Sequence, residues 1–498
     1  MTKQTFKSNL FASTEFKKMP TDQNKRIAII GGGISGLAAV HRIVQQGKNV
    51  TPVLFEAQDR LGGAIETERR DGFLIEQSAD MFTTQEPDAI ELCEEIGLAD
   101  DLISTNQQNR RAFVCFRGKL QPVPPGFVLM SPTQLGSIWK TKLLSPAGKA
   151  RLCLERFVKR RSDPSDESLQ SFAERRFGKQ VFQRLIQPLI GGIYTADPSK
   201  LSMQATMKQF VDSEREFGSL IAAVLKQKAS QKEATASSGA RYGKFVAPRE
   251  GMGQLIDAIA DRIPRESIRL NRPVRSMLKA EGGKWRLALD DDEQLFDAVI
   301  LAVPAHLAAK LLADVNGDLS AALTGIPYAS AAIVVQAFPR ERVGHPLDGF
   351  GFVVPQIENR KILACSFSSV KFDRRAPAGY VLLRTFVGGA LQPELLDLSD
   401  EALLRLVEDE LQPLLSIHGK ATFIQVRRWQ DAMPQYHVGH LETVRRIEDL
   451  VLRDANLTLA GNAFHGVGIP ACIRSGRAAA DRIINGLSAN AAEQSRRS

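Results

Sequence analysis

Cysteine is scarce in this 498-residue chain: Cys93, Cys115, Cys153, Cys365 and Cys472 are scattered and include no Cys-x-x-Cys pair. An odd set at such spacings argues against a disulfide framework or an iron–sulfur site and fits a reducing cytoplasm. Long apolar runs are missing as well. Ala298 to Ala309, which contains Pro304, and Ala329 to Ala337 both fall short of the roughly 18 residues that span a bilayer, so no membrane crossing is expected. The formal charge of +9 is modest for this length, and no zinc-finger, RNP-like or helix-turn-helix pattern accompanies it. That points away from nucleic acid and toward acidic small molecules or an anionic membrane surface. Residues 1–24 lack the apolar core of a signal peptide and, with no Arg before Arg26, do not read as a transit peptide. They are expected to form a disordered tail, with Met19 as an alternative start, and Ser488 to Ser498 a frayed one.

Glycine, in contrast, is concentrated where it carries information. Gly31-Gly32-Gly33-Ile34-Ser35-Gly36 directly follows the apolar run Ile27 to Ile30, and Glu56 closes the next apolar run, Val50 to Phe55. Strand, Gly-x-Gly-x-x-Gly turn, helix and acid at these separations make a dinucleotide-binding βαβ unit. The glycines bring backbone N–H groups and a helix N-terminus against a pyrophosphate, while Glu56 can accept hydrogen bonds from the adenosine ribose. Beyond it, Arg60-Leu61-Gly62-Gly63 keeps a cation and a second glycine pair near the phosphate site, where a nicotinamide enzyme would usually continue into ordinary helix. That favours FAD. Taken alone, Arg60 also admits a surface ion pair and Gly62-Gly63 a plain loop. No paired carboxylates and no Ser/His/Asp constellation stand beside these motifs.

At about 150 residues per domain the length suggests two or three. The expected fold is α/β (α+β): a discontinuous Rossmann-like FAD-binding domain (25–100, 241–310 and 451–487), a sheet-based substrate domain (311–450), and a helical subdomain (101–240) that could face a membrane. Strands are expected near Ile268 to Val274, Trp285 to Leu289 and Phe296 to Leu301. Alternating patterns mark further strands at Ala331 to Phe338, Gly349 to Val354, Ile362 to Phe367 and Val381 to Val387. Residues 126–161 interleave apolar side chains such as Trp139 with many lysines and arginines, and Glu155 is their only acid. This reads either as an amphipathic face for an anionic membrane or as a solvated basic face over the helical subdomain. Gln227 to Gly243 reads as a mobile connection. Leu457 to Asn462 is a strand, and the helix after Pro470, expected to reach about Ile484, would present its positive N-terminus to a reduced flavin.

The Glu56 to Gly63 segment resembles the flavoprotein family of amine oxidases, carotenoid desaturases and porphyrinogen oxidases, in which this Arg and Gly-Gly lie along the flavin. Five further segments, in order, resemble the oxygen-dependent porphyrinogen oxidases of late haem synthesis. They are Gln187 to Pro198 with Leu201-Ser202-Met203, Ser366 to Pro377, Val387-Gly388-Gly389, Arg428 to Leu441, and Gly461 to Pro470. The resemblance implies a six-electron, six-hydrogen oxidation of protoporphyrinogen IX or coproporphyrinogen III, two electrons at a time through FAD, with O2 giving peroxide.

It also implies roles. Gly31 to Gly36, Glu56, Arg60, Gly62, Gly63, Ala64, Ser78, Ala79, Asp80, Met81, Val274, Gly461, Val467, Gly468 and Ile469 contact FAD. Gly192 sits near the reacting centre, Phe367 stacks on a pyrrole, Val353 walls the opposite face, and Arg111 pairs with a propionate. Read from the residues alone, Gly192 is also a packing glycine, Phe367 and Val353 core residues of the sheet and Arg111 a surface arginine. The sequence offers Arg110, Arg117 and Lys119 as further cations nearby without showing which point inward. From the residues themselves, His465 lies in the flavin-adjacent turn and is open to either touching the ring or not, whereas His437 and His440 have a metal-like spacing but no third ligand nearby and read as structural. The product could pass to a ferrochelatase at a membrane; oligomeric state is not legible. Two departures stand out: Ser78-Ala79-Asp80 where relatives commonly carry Gly-Pro-Asp, and Ala471 where an acid is frequent. The competing readings are an amine oxidase or carotenoid-type desaturase, and a non-catalytic flavin-binding porphyrin carrier.

Overall fold

Continuous apolar runs such as Ile27 to Ile30 suit strands buried on both faces, and five segments from distant parts of the chain build such a sheet. In the computed structural model, which describes residues 24–47, 49–230 and 244–497, its order is Ile268–Arg269, Val50–Phe55, Lys25–Ile30, Ala298–Leu301 and Leu457–Leu459, all parallel. One face is covered by the helices Ile34–Gln46 and Ile469–Arg497, through Leu37, Val40, Ile473 and Ile483. Against the other pack a three-stranded antiparallel sheet, through Trp285 and Phe296, and the helices Ala305–Leu312 and His440–Leu452.

A seven-stranded mixed sheet forms the second layer, in the order Phe423–Pro434, Tyr328–Pro339, Tyr380–Gly388, Ala364–Phe367, Gly351–Val353, Phe113–Phe116 and Lys119–Pro122. Its far face lies under the helix Asp400–Leu415, whose Leu403, Val407 and Leu411 recur at helical spacing. Its near face sits on the hairpin Thr67–Arg70/Phe73–Glu76, with Phe73 and Ile75 against Ile333 and Val335. The helical part, between about residues 135 and 230, has its own core around Phe172, Phe177, Leu185 and Ile186. Inside it Arg176 and Glu155 pair with no solvent exposure, and Glu155 also accepts from Ser219 Oγ and the Leu220 and Ile221 amides.

Several expected boundaries move. The strand at Ile268 stops at Arg269, because the Asn271 and Arg272 amides turn away to donate to the carbonyls of Gln58 and Glu56, each at 2.9 Å. The last helix runs on to Arg497 through the expected tail, whose Ala-rich sequence has no breaker. The expected connection begins as helix through Ser230; 231–243 lie outside the described residues, as does the expected N-terminal tail apart from Asn24. The basic region folds into short helices, Leu135–Lys140 and Pro146–Cys153, with a 3₁₀ turn at Leu154–Phe157. Met130, Leu143 and Leu144 point inward, while Trp139 is 56% and Phe157 78% exposed. No helix among the described residues is long and apolar enough to cross a membrane.

Candidate active site

The glycines after the first strand are each constrained differently. Gly31 has φ +108°, and a Cβ there would stand 2.5 Å from the Ala302 carbonyl oxygen; one on Gly36 would strike the Gly31 carbonyl. Gly33 has nothing within 4 Å of that position, and neither has Gly461. The cradle is thus closed against the fold and open at Gly33 and Gly461, where a dinucleotide can lie. Gly33 forms an isolated parallel bridge with Gly62, whose amide donates to the Gly32 carbonyl at 2.8 Å. Glu56 accepts from the Gly32 amide at 2.7 Å and the Gln58 amide at 2.8 Å. A carboxylate has about four lone-pair sites, so it retains capacity for a ribose hydroxyl.

Arg60 is a loop brace. Its guanidinium donates to the carbonyls of Leu61, Gly63 and Ile65 and pairs with Glu66 at 2.9 Å, which folds Gly62-Gly63-Ala64 around it. Ser78 donates to the Ala64 carbonyl, so the two expected cofactor segments meet. Val274 is partly buried against the core behind the sheet.

The N-terminal end of the last helix reaches the same place. The two long helices touch so closely that a Cβ on Gly476 would overlap the Ser35 carbonyl. The turn before this helix is held by Tyr436, whose hydroxyl donates to the Asn462 carbonyl at 2.5 Å and accepts from the Gly466 amide at 2.8 Å. The Tyr436 ring stacks on His440 at 3.9 Å, and His440 Nε2 lies 3.1 Å from the Phe464 carbonyl. Burial lowers the His440 pKa, and because a carbonyl oxygen only accepts, Nε2 is the donor in this contact. His465, in contrast, turns outward to Glu448 at 2.6 Å and is exposed, so it is not aimed at the cradle.

Across the seven-stranded sheet, cross-strand register decides which side chains share a face. Val114, Val353, Ala364, Phe386 and Ile333 form one row, on the near face. Gly192, on the helix Gln187–Tyr194, stands opposite it; a Cβ there would be 3.6 Å from Val353 Cγ1. A π-helical stretch, Phe182–Ile186, precedes this helix, a feature frequent at functional sites. Phe367 does not join this row. With Phe352 and Cys365 it falls on the far face, fully buried beside Phe352 and His345 under the helix Asp400–Leu415. The partly buried aromatic in Val353's row is Phe386, which period-2 alternation from Val381 to Val387 could have flagged.

Arg111 is also placed otherwise than expected. Its guanidinium is spent on Asp348, through the carboxylate and the backbone carbonyl. Arg110, next to it, donates to the Thr105 carbonyl at 3.3 Å, keeps a buried Nε without a partner, and has no carboxylate within salt-bridge distance among the described residues.

A model of flavin containing amine oxidoreductases matches residues 34–484, and the chain belongs to that family. Its curated relatives include enzymes named coproporphyrinogen III oxidase and protoporphyrinogen oxidase. It is 34% identical to coproporphyrinogen III oxidase of Propionibacterium freudenreichii subsp. freudenreichii, over 94% of this chain and 92% of that one. It is 33% identical to the Bacillus subtilis (strain 168) protein of the same name, over 92% and 98%. With the chloroplastic protoporphyrinogen oxidase of Nicotiana tabacum the identity is 31%, over 92% and 85%. A crystal structure of a candidate protoporphyrinogen oxidase from Exiguobacterium sp. 255-15 superposes with a TM-score of 0.83 at 31% identity, covering 93% of this chain and 99% of that one. Reduced UDP-galactopyranose mutase, at 16% identity and a TM-score of 0.70, shares the fold. FAD is the cofactor of this chain, in keeping with the open Gly33 cradle.

Proposed function

We propose that this chain oxidises a porphyrinogen, coproporphyrinogen III or protoporphyrinogen IX, to the porphyrin in haem synthesis, with O2 as the final acceptor and H2O2 as product. Identity of 31–34% over nearly the whole chain with enzymes of those two names carries the reading. A bound FAD supplies a two-electron acceptor, so removal of six electrons and six hydrogens takes three rounds. The chain's part is to hold a methylene-bridge C–H in place and keep water away. Gly192, lacking a side chain, leaves room opposite Val353, and Phe386 supplies the aromatic wall. Arg110, half-buried and without a carboxylate partner, takes a substrate propionate, which its planar fork fits. Ser78 to Met81 and the turn Gly461 to Ile469 flank the cofactor.

Fluorescence-monitored turnover of FAD-loaded protein in air, with both porphyrinogens in parallel and spontaneous oxidation subtracted, tests this. Rapid porphyrin formation from one names the substrate; no catalysed rate with either overturns the reading. Exposed Trp139, Leu154 and Phe157, set among Lys140, Arg156 and Lys159, support peripheral docking on anionic lipid. Liposome flotation should then show binding at low salt that high salt weakens, and no binding at either salt rules it out.

A further inference from the structure

Five charged side chains meet where Glu76 to Met81 passes beneath the near face of the seven-stranded sheet. Asp80 accepts from Lys371 Nζ at 2.8 and 3.0 Å and lies 3.2 Å from Arg384 Nη1. Arg384 also donates to the Ser78 carbonyl, and its Nε is buried with no hydrogen-bond partner. Arg375 donates to the carbonyls of Arg249 at 2.9 Å and Pro248 at 3.1 Å, not to a carboxylate. Glu76 accepts from Thr67 Oγ1 at 2.7 Å and the Met252 amide at 2.8 Å. Glu76, Lys371, Arg375 and Arg384 are all more than nine-tenths buried.

Three cations therefore share two carboxylates in the interior. Burial raises the Glu76 pKa and lowers that of Arg375; burial also disfavours ionised Asp80, but Lys371 and Arg384 outweigh it and hold its pKa low. Unbalanced buried charge is costly, and a cluster kept for packing alone would be cheaper as apolar side chains. The surplus has an evident beneficiary. Arg384 and Asp80 are bonded to, or part of, Ser78 to Met81, the segment placed against the cofactor, and a flavin gains negative charge when reduced.

We propose that Lys371, Arg384 and Arg375, opposed by Asp80 and Glu76, form a buried positive charge that tunes the flavin through Ser78 to Met81, raising its reduction potential and stabilising its anionic forms. Lys371 and Arg384 are thus positioning residues that act at a distance. The inference rests on the placement of Ser78 to Met81 beside FAD, and that placement fails separately if Ala79→Trp retains full FAD affinity.

The test uses the FAD-loaded full chain and no porphyrinogen, so it can fail independently of the substrate assignment. Reduction potential is measured by dye equilibration and sulfite affinity by bleaching of the oxidised-flavin absorbance. Lys371→Met should lower the potential and weaken sulfite binding about tenfold, the scale of one nearby unit charge in a protein interior. Asp80→Asn should shift both readouts the opposite way, the double variant should return toward wild type, and Lys371→Arg should stay within about twofold of it. If Lys371→Met does not fold, Asp80→Asn alone still decides the sign. Two outcomes overturn the proposal: both variants, with full FAD content and native circular dichroism, moving in the same direction, or neither moving more than about twofold.

Discussion

At Phe367 the family resemblance and the register of the sheet disagree. One residue of offset turns a side chain to the opposite face of a strand, and Phe367 lies in the core under the helix Asp400–Leu415, whereas Phe386 shares a row with Val353. Phe367→Ala should therefore destabilise the protein by about 3–5 kcal/mol in urea titration and leave KM little changed. Phe386→Ala should raise the KM for porphyrinogen instead. The paired arginines differ in the same way. On the proposed pairing of Arg110 with a propionate, its loss removes a charge-assisted contact of about 1.5–3 kcal/mol, so Arg110→Met should raise KM roughly ten- to hundredfold. Arg111→Met breaks a part-exposed pair with Asp348, worth about 0–1 kcal/mol, and steady-state kinetics should show only a small change. Adjacent arginines look alike in a sequence; which one finds a carboxylate is a matter of what packs beside it.

At the scale of elements, the strand, glycine turn, helix and acid of the dinucleotide unit were legible because each is a local requirement of backbone geometry. The four strands expected between residues 331 and 387 were legible for the same reason: period-2 alternation is written along the chain. The support beneath the Asn462 to Gly466 turn was not, since it comes from Tyr436 across space. Tyr436→Phe leaves the Gly466 amide and the Asn462 carbonyl without their shared partner, which should cost about 1–3 kcal/mol and weaken FAD binding, measured by calorimetric unfolding and by FAD titration of the apoprotein. Gly476→Ala should also reduce FAD affinity, because the added methyl forces the last helix away from Ser35.

On the scale of the whole molecule, the helical part is secured by an interior ion network rather than by apolar packing alone. Removing one partner of a fully buried pair strands the other, so Glu155→Ala should cost about 3–5 kcal/mol, seen as a lower urea midpoint. Glu214 gives this network a pH signature. Burial opposes its ionised form, but Arg175 and Arg176 outweigh that and depress its pKa. The stability it contributes is therefore present above the unfolded carboxylate pKa of about 4.3 and lost as pH falls through the lower folded value. Urea midpoints measured from about pH 7 down to pH 3 should decline less steeply for Glu214→Gln than for the wild type.

The sequence by itself determined the class of fold, the cofactor and the family, because these rest on short motifs whose glycines, acids and alternations act through local backbone constraints and recur in order. Only the tertiary structure decided which side chains share a face with Val353, which arginine stands without a carboxylate, and that three cations are buried against two acids. Those facts depend on register and on contacts between residues as far apart as Asp80 and Lys371, which no local pattern along the chain encodes.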